Sequence, residues 1–122
     1  MTAALRPASC RFGDGVGARV ADMAAAALLA ELETWPKPGL VSHVDAGSHA
    51  DMEADTFRAS TAAIRPFLAE LAAAGASGAG MAELRGIGLA AERAMLAATG
   101  GVNTHRGAIF GLGLLCAAAG AA

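Results

Sequence analysis

The sequence predicts an all-α fold, a helical bundle interrupted by two polar loops that break the helices. Hydrophobic residues make up 55% of the 122 residues but aromatic residues only 4%, so alanine supplies much of the apolar content. Alanine is the strongest helix former and buries little surface per residue. No segment shows the alternation with period two that is typical of strands. We therefore expect one helical domain at 18–122, after an irregular segment at 1–17, forming an incomplete half of a larger all-helical domain.

The first helix is predicted over 18–34. Leu28, Leu29 and Leu32 form its apolar stripe at helical spacing. The helix should end at Trp35, because a residue that precedes proline is pushed out of the α conformation.

The second helix is predicted to begin near Ser48 to Asp51, since both residues are suitable N-caps. It should run to about residue 74, with Pro66 kinking or dividing it. The glycine-rich stretch at 75–80 is expected to be a flexible link. The predicted core residues of this helix are Phe57, Ile64, Phe67, Leu68 and Leu71.

The third helix is predicted over 81–98. Gly86 and Gly88 weaken its helix propensity, which suggests that another helix packs closely there. Gly100 and Gly101 should end it.

A fourth helix should follow, capped by Asn103 or Thr104. Residues 107–122 contain no charge, but they are fewer than the roughly 20 apolar residues that a bilayer requires. A helix buried in a larger bundle is the favoured interpretation, and no membrane association is expected.

Charge and cysteine content exclude several classes of protein. A net charge of −2 lacks the basic face that nucleic-acid binding needs. Cys10 and Cys116 do not have the spacing of a metal site, and nothing indicates an oxidising compartment. Residues 1–18 lack the apolar core of a signal peptide. A cytoplasmic location is therefore expected.

Two polar clusters fall where the predicted helices break. The first contains Glu33, Lys37, Ser42, His43, Asp45, Ser48, His49, Asp51 and Asp55. The second, in "GGVNTHRG", contains Asn103, Thr104, His105 and Arg106. All three histidines of the chain belong to these clusters.

The residue types in the clusters suit a metal–polyphosphate ligand. Lys37 and Arg106 can hold phosphate oxygens, lysine as a point charge and arginine as a fork. Asp45, Asp51 and Asp55 are hard oxygen ligands of the kind that bind Mg²⁺ on a polyphosphate. Together these residues predict a site for an anion with its cation.

Glu33, His49 or His105 can serve as general acid or base, and the sequence does not separate the two roles. Simpler interpretations stay open, because Ser48 and Asp51 also fit as helix caps. Asp55 likewise fits as a first-turn carboxylate that complements the helix dipole.

Two other functions are also compatible with these residues. The pairs His43-x-Asp45 and His49-x-Asp51 could bind a transition metal in a helical phosphohydrolase. A non-catalytic helical chain that binds only nucleotide is the third possibility.

The clusters and their surroundings resemble a known family. "ELETWPKPGLVSHVDAGSHADM", "TFRASTAAIRPF", "LRGIGLAAERAML" and "GGVNTHRGAIFGLGLL" resemble the triphosphoribosyl-dephospho-coenzyme A synthases. The resemblance extends over about 20–120, and the order of KPGLV, GSHxDM and GVNTHRGAIF is specific. The segment "ETWPKPGLVSHVDAGSH" resembles the malonate decarboxylase branch more than the citrate lyase branch.

The resemblance implies that ATP and 3'-dephospho-CoA are substrates, with Mg²⁺ as cofactor. Adenine would leave, and the product would be 2'-(5''-triphosphoribosyl)-3'-dephospho-CoA, the prosthetic-group precursor of the decarboxylase acyl carrier subunit. The family's motifs map onto Lys37, onto His49 and Asp51, and onto the "NTHRG" residues. The catalytic candidates are then Glu33, His49, Asp51 and His105. The substrate-binding candidates are Lys37, Ser48, Asn103, Thr104 and Arg106, and the metal candidates are Asp45, Asp51 and Asp55.

Family members are more than twice as long, so we expect this chain alone to form only part of the site. Leu112, Leu114 and Leu115 would then have exposed faces that favour self-association through the fourth helix.

Overall fold

The computed structural model describes residues 15–35, 37, 39–42 and 53–122. Within these ranges it contains no strand and four helices, namely α1 (Val16–Leu32), α2 (Ala54–Ala76), α3 (Met81–Ala98) and α4 (Arg106–Ala121). The all-α prediction is therefore confirmed.

The helix α2 is at the centre of the bundle. It packs against α1, α3 and α4, whereas the contact between α3 and α4 is smaller. Five core residues have no exposed surface, and two of them are alanines: Ala21, Ile64, Leu68, Ala91 and Met95. Small side chains at these positions let the helices approach closely, which explains how a chain poor in aromatic residues still builds a core.

Two helix starts differ from the sequence prediction. The first helix begins at Val16, two residues before the predicted start. The second begins at Ala54, with extended Glu53 as its N-cap. The backbone N–H of Glu53 donates to Thr56 Oγ1 at 3.3 Å. The prediction that Ser48 or Asp51 caps this helix is therefore wrong, and both residues lie outside the described ranges.

Pro66 does not divide α2, which is continuous from Ala54 to Ala76. Both Pro66 and Ala62 are exposed. The Ala62 carbonyl, which loses its usual helical donor at residue 66, can therefore bond to water.

The glycines that make close helix contacts are not the predicted ones. A Cβ added at Gly86 or Gly88 would meet no other atom within 4 Å, so the expected close packing at these positions is wrong. Gly75, predicted to lie in a flexible link, is instead the penultimate residue of α2. A Cβ at Gly75 would overlap the Ala117 carbonyl, and one at Gly120 would overlap the Ala72 carbonyl.

The bounds of α3 agree with the sequence prediction. The helix ends where Gly100 and Gly101 adopt φ values of 67° and 94°, a conformation that favours glycine. The N–H of Gly101 donates to the Leu96 carbonyl at 2.8 Å, which satisfies one terminal acceptor of the helix. This tight turn sends the chain directly back towards α4.

Neither residue predicted to cap α4 occupies its N-cap, which is His105. Asn103 nevertheless has a capping contact, because its Oδ1 accepts the backbone N–H of Arg106 at 3.0 Å. In the described part of the chain, no helix has both the length and the apolar character needed to cross a bilayer. On this chain α4 is not enclosed on all sides, since Phe110 and Leu115 are 71% and 66% exposed.

Candidate functional site

Side chains from the end of α1, from α2 and from the turn before α4 interact with one another. The end of α1 and the turn after it bring Glu31 and Lys37, α2 brings Ser60, and the turn before α4 brings Thr104 and His105. We call these five residues the polar junction. The link between Lys37 and the "NTHRG" segment is indirect, because Lys37 pairs with Glu31 and the Glu31 charge acts on His105. That the two loops form one site stays a prediction.

His105 is held in the interior of the polar junction. His105 is only 6% exposed, and Ser60 is fully buried. Ser60 Oγ lies 2.6 Å from His105 Nδ1, and Thr104 Oγ1 donates to Ser60 Oγ at 2.6 Å. The ring of Phe57 packs edge-on against the imidazole, with centroids 5.0 Å apart. The imidazole is therefore fixed by polar contacts on one edge and an aromatic ring on another.

Burial lowers the pKa of His105 below its usual 6.5, because the protein interior solvates an imidazolium poorly. The Glu31 carboxylate acts in the opposite direction and raises that pKa, but its effect is the smaller of the two. His105 is consequently neutral at physiological pH.

Lys37 is paired with the end of α1. Its Nζ donates to the Glu31 carboxylate at 2.8 Å and to the Glu31 carbonyl at 2.6 Å. The Lys37 side chain is only 10% exposed. Glu31 therefore pairs with Lys37 while its charge also acts on His105, and a phosphate that bound Lys37 would compete with this carboxylate.

Arg106 pairs with a residue of α3 and not with a member of the polar junction. Its Nε donates to Glu92 Oε2 on α3 at 2.6 Å, and its side chain is 56% exposed. Both residues line an open cavity of about 290 Å³ between α3 and α4. The cavity is otherwise largely apolar, with Leu84, Leu89 and Phe110 among its lining residues. The predicted phosphate contact at Arg106 is therefore not brought next to Lys37 in the described part of the chain.

Two further candidates lie on the surface. Glu33 is the exposed C-cap of α1. Asp55 is in the first turn of α2, where its carboxylate pairs with Arg58 at 2.8 Å. Asp55 therefore lies where a carboxylate complements the helix dipole, as its simpler interpretation expects. It also forms an ion pair within the same helix.

The remaining candidates, Asp45, Ser48, His49 and Asp51, lie outside the described residues. Among those that are described, no group of three histidine, cysteine or carboxylate side chains could hold a metal ion. The magnesium prediction and the alternative HxD metal site both depend on residues in the range 43–52, so they stay predictions.

Sequence reasoning missed Ser60 and Glu31. Ser60 lies four residues before Ile64 and eight before Leu68, on the stripe that faces the core. A polar residue on an apolar helical stripe is an informative exception, and this pattern could have identified it. Glu31 and Glu33 both flank buried Leu32 and both are exposed, so only the contact with Lys37 distinguishes Glu31.

A family model described as ATP:dephospho-CoA triphosphoribosyl transferase, CitG, matches residues 17–122. The chain belongs to the CitG family. One relative, the "probable 2-(5''-triphosphoribosyl)-3'-dephosphocoenzyme-A synthase" of Albidiferax ferrireducens, is 47% identical over 111 residues. The synthase of Klebsiella pneumoniae is 51% identical over 100 residues, and that of Haemophilus ducreyi is 43% identical over 108. No solved structure matches the chain.

These alignments cover most of this CitG-family chain but a minor part of each relative. They include 86%, 77% and 84% of the chain, and 37%, 33% and 33% of the relatives, respectively. The chain therefore spans about a third of the length of the relatives it matches.

Proposed function

We propose that this chain forms part of a cytoplasmic enzyme that transfers the triphosphoribosyl group of ATP to 3'-dephospho-CoA and releases adenine. The product is 2'-(5''-triphosphoribosyl)-3'-dephospho-CoA, and the enzyme served is malonate decarboxylase through its acyl carrier subunit. The observation that supports this most is membership of the CitG family over residues 17–122. The preference for malonate decarboxylase rests on the sequence of the "ETWPKPGLVSHVDAGSH" segment alone.

The reaction exchanges one bond at the anomeric carbon of the ATP ribose. A ribose hydroxyl of dephospho-CoA forms a new C–O bond there, and the C–N bond to adenine breaks. The proton lost by the hydroxyl balances the proton that adenine gains. Transition states of this kind have oxocarbenium character, which a nearby carboxylate stabilises. Catalysis consequently needs a carboxylate, a proton donor and groups that hold the triphosphate still.

The polar junction contains side chains of each of these kinds. Lys37 is the cation for the triphosphate, and Glu31 is a carboxylate paired with it at 2.8 Å. His105 is the nearby proton-transfer group, with Thr104 beside it. The predicted catalytic roles of Glu33, His49 and Asp51 and the substrate contacts of Ser48, Asn103 and Arg106 belong to the same proposal.

Magnesium is part of this proposal. Asp55 is an exposed carboxylate at the start of α2, and Asp45 and Asp51 precede it in the sequence. Mg²⁺ in proteins is commonly held by one or two carboxylates together with substrate phosphates, so such a set fits it. When bound, the ion would neutralise charge on the triphosphate.

Nucleotide binding can be followed with Trp35, the only tryptophan of the chain, which is 60% exposed and two residues from Lys37. We expect ATP with Mg²⁺ to change its fluorescence saturably. Replacement of Lys37 by alanine should raise the Kd by about 10-fold or more, because a charge-assisted hydrogen bond is lost.

Arg65→Ala is the charge-matched control. Arg65 pairs with Asp22 on α1, nine residues or about 14 Å along the helix axis from Glu31. An equal effect of both substitutions, or no ATP response, would contradict the assignment of Lys37.

Chemistry is tested by incubating a full-length enzyme that contains this segment with ATP and dephospho-CoA and measuring adenine. Adenine release without orthophosphate or pyrophosphate is the expected product pattern. Phosphate release would instead favour the metal-dependent phosphohydrolase, and ATP binding without turnover would favour a nucleotide-binding chain.

Self-association through the exposed face of α4 is also part of the proposal. Phe110 and Leu114 border the groove between α3 and α4, and Leu115 is 66% exposed. An apolar surface of this kind favours contact with a second copy. Sedimentation velocity at increasing concentration should show a dimer that Phe110→Ser abolishes. Met23→Ser on α1 is the control, because Met23 is 72% exposed and Phe110 is 71% exposed. A monomer at all concentrations would refute this contact.

A further inference from the structure

We propose that Ser60 is a positioning residue for His105. Its hydroxyl donates to His105 Nδ1 and so keeps the single proton of the neutral imidazole on Nε2. This proposal has two parts that can be separated. The protonation pattern is a property of the chain itself, whereas its catalytic consequence rests on the proposed function.

The argument begins with the number of protons available at Ser60. A serine hydroxyl has one proton to donate and two lone pairs that accept. Thr104 Oγ1 donates to Ser60 Oγ at 2.6 Å. Ser60 therefore keeps its own proton for its other partner, which is His105 Nδ1, also at 2.6 Å. A nitrogen that accepts this bond is unprotonated.

The opposite tautomer would leave a buried donor without an acceptor. With a proton on Nδ1 and the Thr104 bond directed as above, both His105 and Thr104 would donate to Ser60 Oγ, and the Ser60 proton would need a third partner unless the bond to Thr104 reversed. Ser60 is fully buried, so water does not supply one. An unsatisfied buried donor carries a substantial free-energy cost. When Thr104 donates to Ser60 and Ser60 donates to His105, each hydroxyl proton has an acceptor.

The geometry of α2 supports the same direction. A helical serine or threonine commonly donates to the carbonyl four residues earlier. The next residue, Thr61, does so, with its Oγ1 donating to the Phe57 carbonyl at 2.9 Å. The contacts of Ser60 are instead to two side chains from outside its helix. Its hydroxyl therefore serves the turn before α4 and not the backbone of α2.

This arrangement separates two roles that the sequence left open for His105. An Nε2 that holds the proton can donate a hydrogen bond but cannot accept a proton. A neutral imidazole can act in this way as an electrophilic donor to developing negative charge. In the proposed reaction the Nε2–H of His105 therefore donates a hydrogen bond to the departing adenine or to a substrate oxygen, and the proton that adenine gains comes from another group. The base that takes the hydroxyl proton is another group.

The tautomer can be measured directly on the substrate-free chain. We would label histidine with ¹⁵N and record two-bond ¹H–¹⁵N correlation spectra at neutral pH. His105→Gln identifies the His105 signals among the three histidines. The expected result is a pyrrole-like Nε2 and a pyridine-like Nδ1. A pyrrole-like Nδ1 would overturn the proposal without any assay of activity.

Variants at Ser60 test whether its hydroxyl causes the preference. In Ser60→Ala the two ring nitrogens should move towards averaged shifts, because the donor to Nδ1 is gone. Ser60→Thr retains a hydroxyl and should restore the wild-type pattern. Thr61→Val is the matched control, a buried hydroxyl in the same helix whose bond goes to the backbone. Unchanged shifts in a folded Ser60→Ala would refute the role of Ser60.

A kinetic measurement tests the catalytic consequence. In the adenine-release assay, Ser60→Ala should lower kcat by about 10-fold with little change in KM for ATP, a smaller loss than removal of a general acid or base causes. Ser60→Thr should recover most of that loss. A parallel rise in KM would indicate a merely structural role. If a full-length enzyme that contains this segment releases no adenine, the proposed function fails, while the spectra of the chain still decide the tautomer.

Discussion

The two sides of α4 are built in different ways. Towards α2, the helix makes backbone contacts at Gly120 and, near its beginning, hydrogen bonds through His105. Towards α3, it borders an open apolar cavity of about 290 Å³, with the Arg106–Glu92 pair at its edge. The side towards α2 is closely packed, and the side towards α3 is open.

This difference shows how a continuous motif can serve two surfaces. His105 and Arg106 are neighbours in the sequence, but His105 is the non-helical N-cap of α4, with φ −130° and ψ 23°, whereas Arg106 is the first residue of the helix. One therefore lies in the polar junction at 6% exposure, whereas the side chain of the other is 56% exposed beside α3. Treating "NTHRG" as one phosphate-binding unit overlooks this division.

Substitution of Gly75 should have the largest effect on stability. A Cβ at this position would overlap the Ala117 carbonyl, which belongs to the backbone and cannot rotate away. We expect Gly75→Ala to lower the free energy of unfolding by about 3 kcal/mol or more, at the upper end of overpacking effects. Thermal and urea unfolding followed by circular dichroism would measure it.

Gly86→Ala is the control on the α3 side. It lies inside a helix with no atom within 4 Å of an added Cβ. Relief of the low helix propensity of glycine should stabilise the chain by about 0.5–1 kcal/mol. If both substitutions destabilise equally, the two sides of α4 do not differ in packing as described.

Ser60→Ala should produce the next largest loss. It leaves the Thr104 hydroxyl and His105 Nδ1 without their shared partner in a buried position. We expect a decrease of about 1–3 kcal/mol in the free energy of unfolding. Ser77→Ala, which removes an exposed hydroxyl bonded to the Ala73 carbonyl, should cost much less in the same measurement.

The pH dependence of stability should also follow from the closely packed side. The pKa of His105 is below its usual 6.5 in the folded chain because of burial. The unfolded chain therefore binds more protons, and stability increases with pH in this range. The His105 contribution is fully present above pH 6.5 and is lost as the pH falls towards the lower folded value.

This dependence can be isolated with a single variant. His105→Asn keeps an acceptor for Ser60 but does not titrate, so its melting temperature should fall less between pH 7.5 and 5.5. Glu31→Gln should lower the pKa of His105 further, since the Glu31 charge raises it. An equal pH dependence in wild type and His105→Asn would contradict the assignment.

The smallest effect is expected at the open side. Glu92→Gln breaks the Arg106 ion pair, whose two side chains are 56% and 25% exposed. Solvent-exposed ion pairs of this kind contribute about 0.2–1 kcal/mol. A decrease in the free energy of unfolding comparable to that of Ser60→Ala would show that this ion pair stabilises the chain as much as the polar junction does.

The sequence predicts the helices well where local signals and packing agree. The bounds of α3 follow from an apolar stripe between glycine-rich ends, and two glycines with positive φ do end it. The start of α2 is mispredicted because Ser48 and Asp51 are good caps in isolation. The structure uses Glu53 instead.

The candidate site is only partly predictable because side-chain direction depends on packing. Lys37 pairs with Glu31, and the Glu31 charge acts on the pKa of His105, but the predicted meeting of the two loops in one site stays a prediction. The contribution of Ser60 depends on a contact between residues 45 positions apart, which local patterns do not reveal. The same limitation explains the glycines, since Gly75 and Gly120 can be distinguished from Gly86 only by what faces them.

The paired glycine contacts at the far ends of α2 and α4 also determine how accurately the imidazole is oriented. Gly75 meets Ala117 and Gly120 meets Ala72, so each helix places a residue without a side chain against the carbonyl of the other. Rotation of α4 about its axis would replace glycine with alanine at these points and force the helices apart. The rotation of α4 about its own axis is thereby restricted at Gly120, which is about 22 Å along the helix from His105. A methyl group added at one end of the bundle should therefore be detectable in the ring resonances at the other.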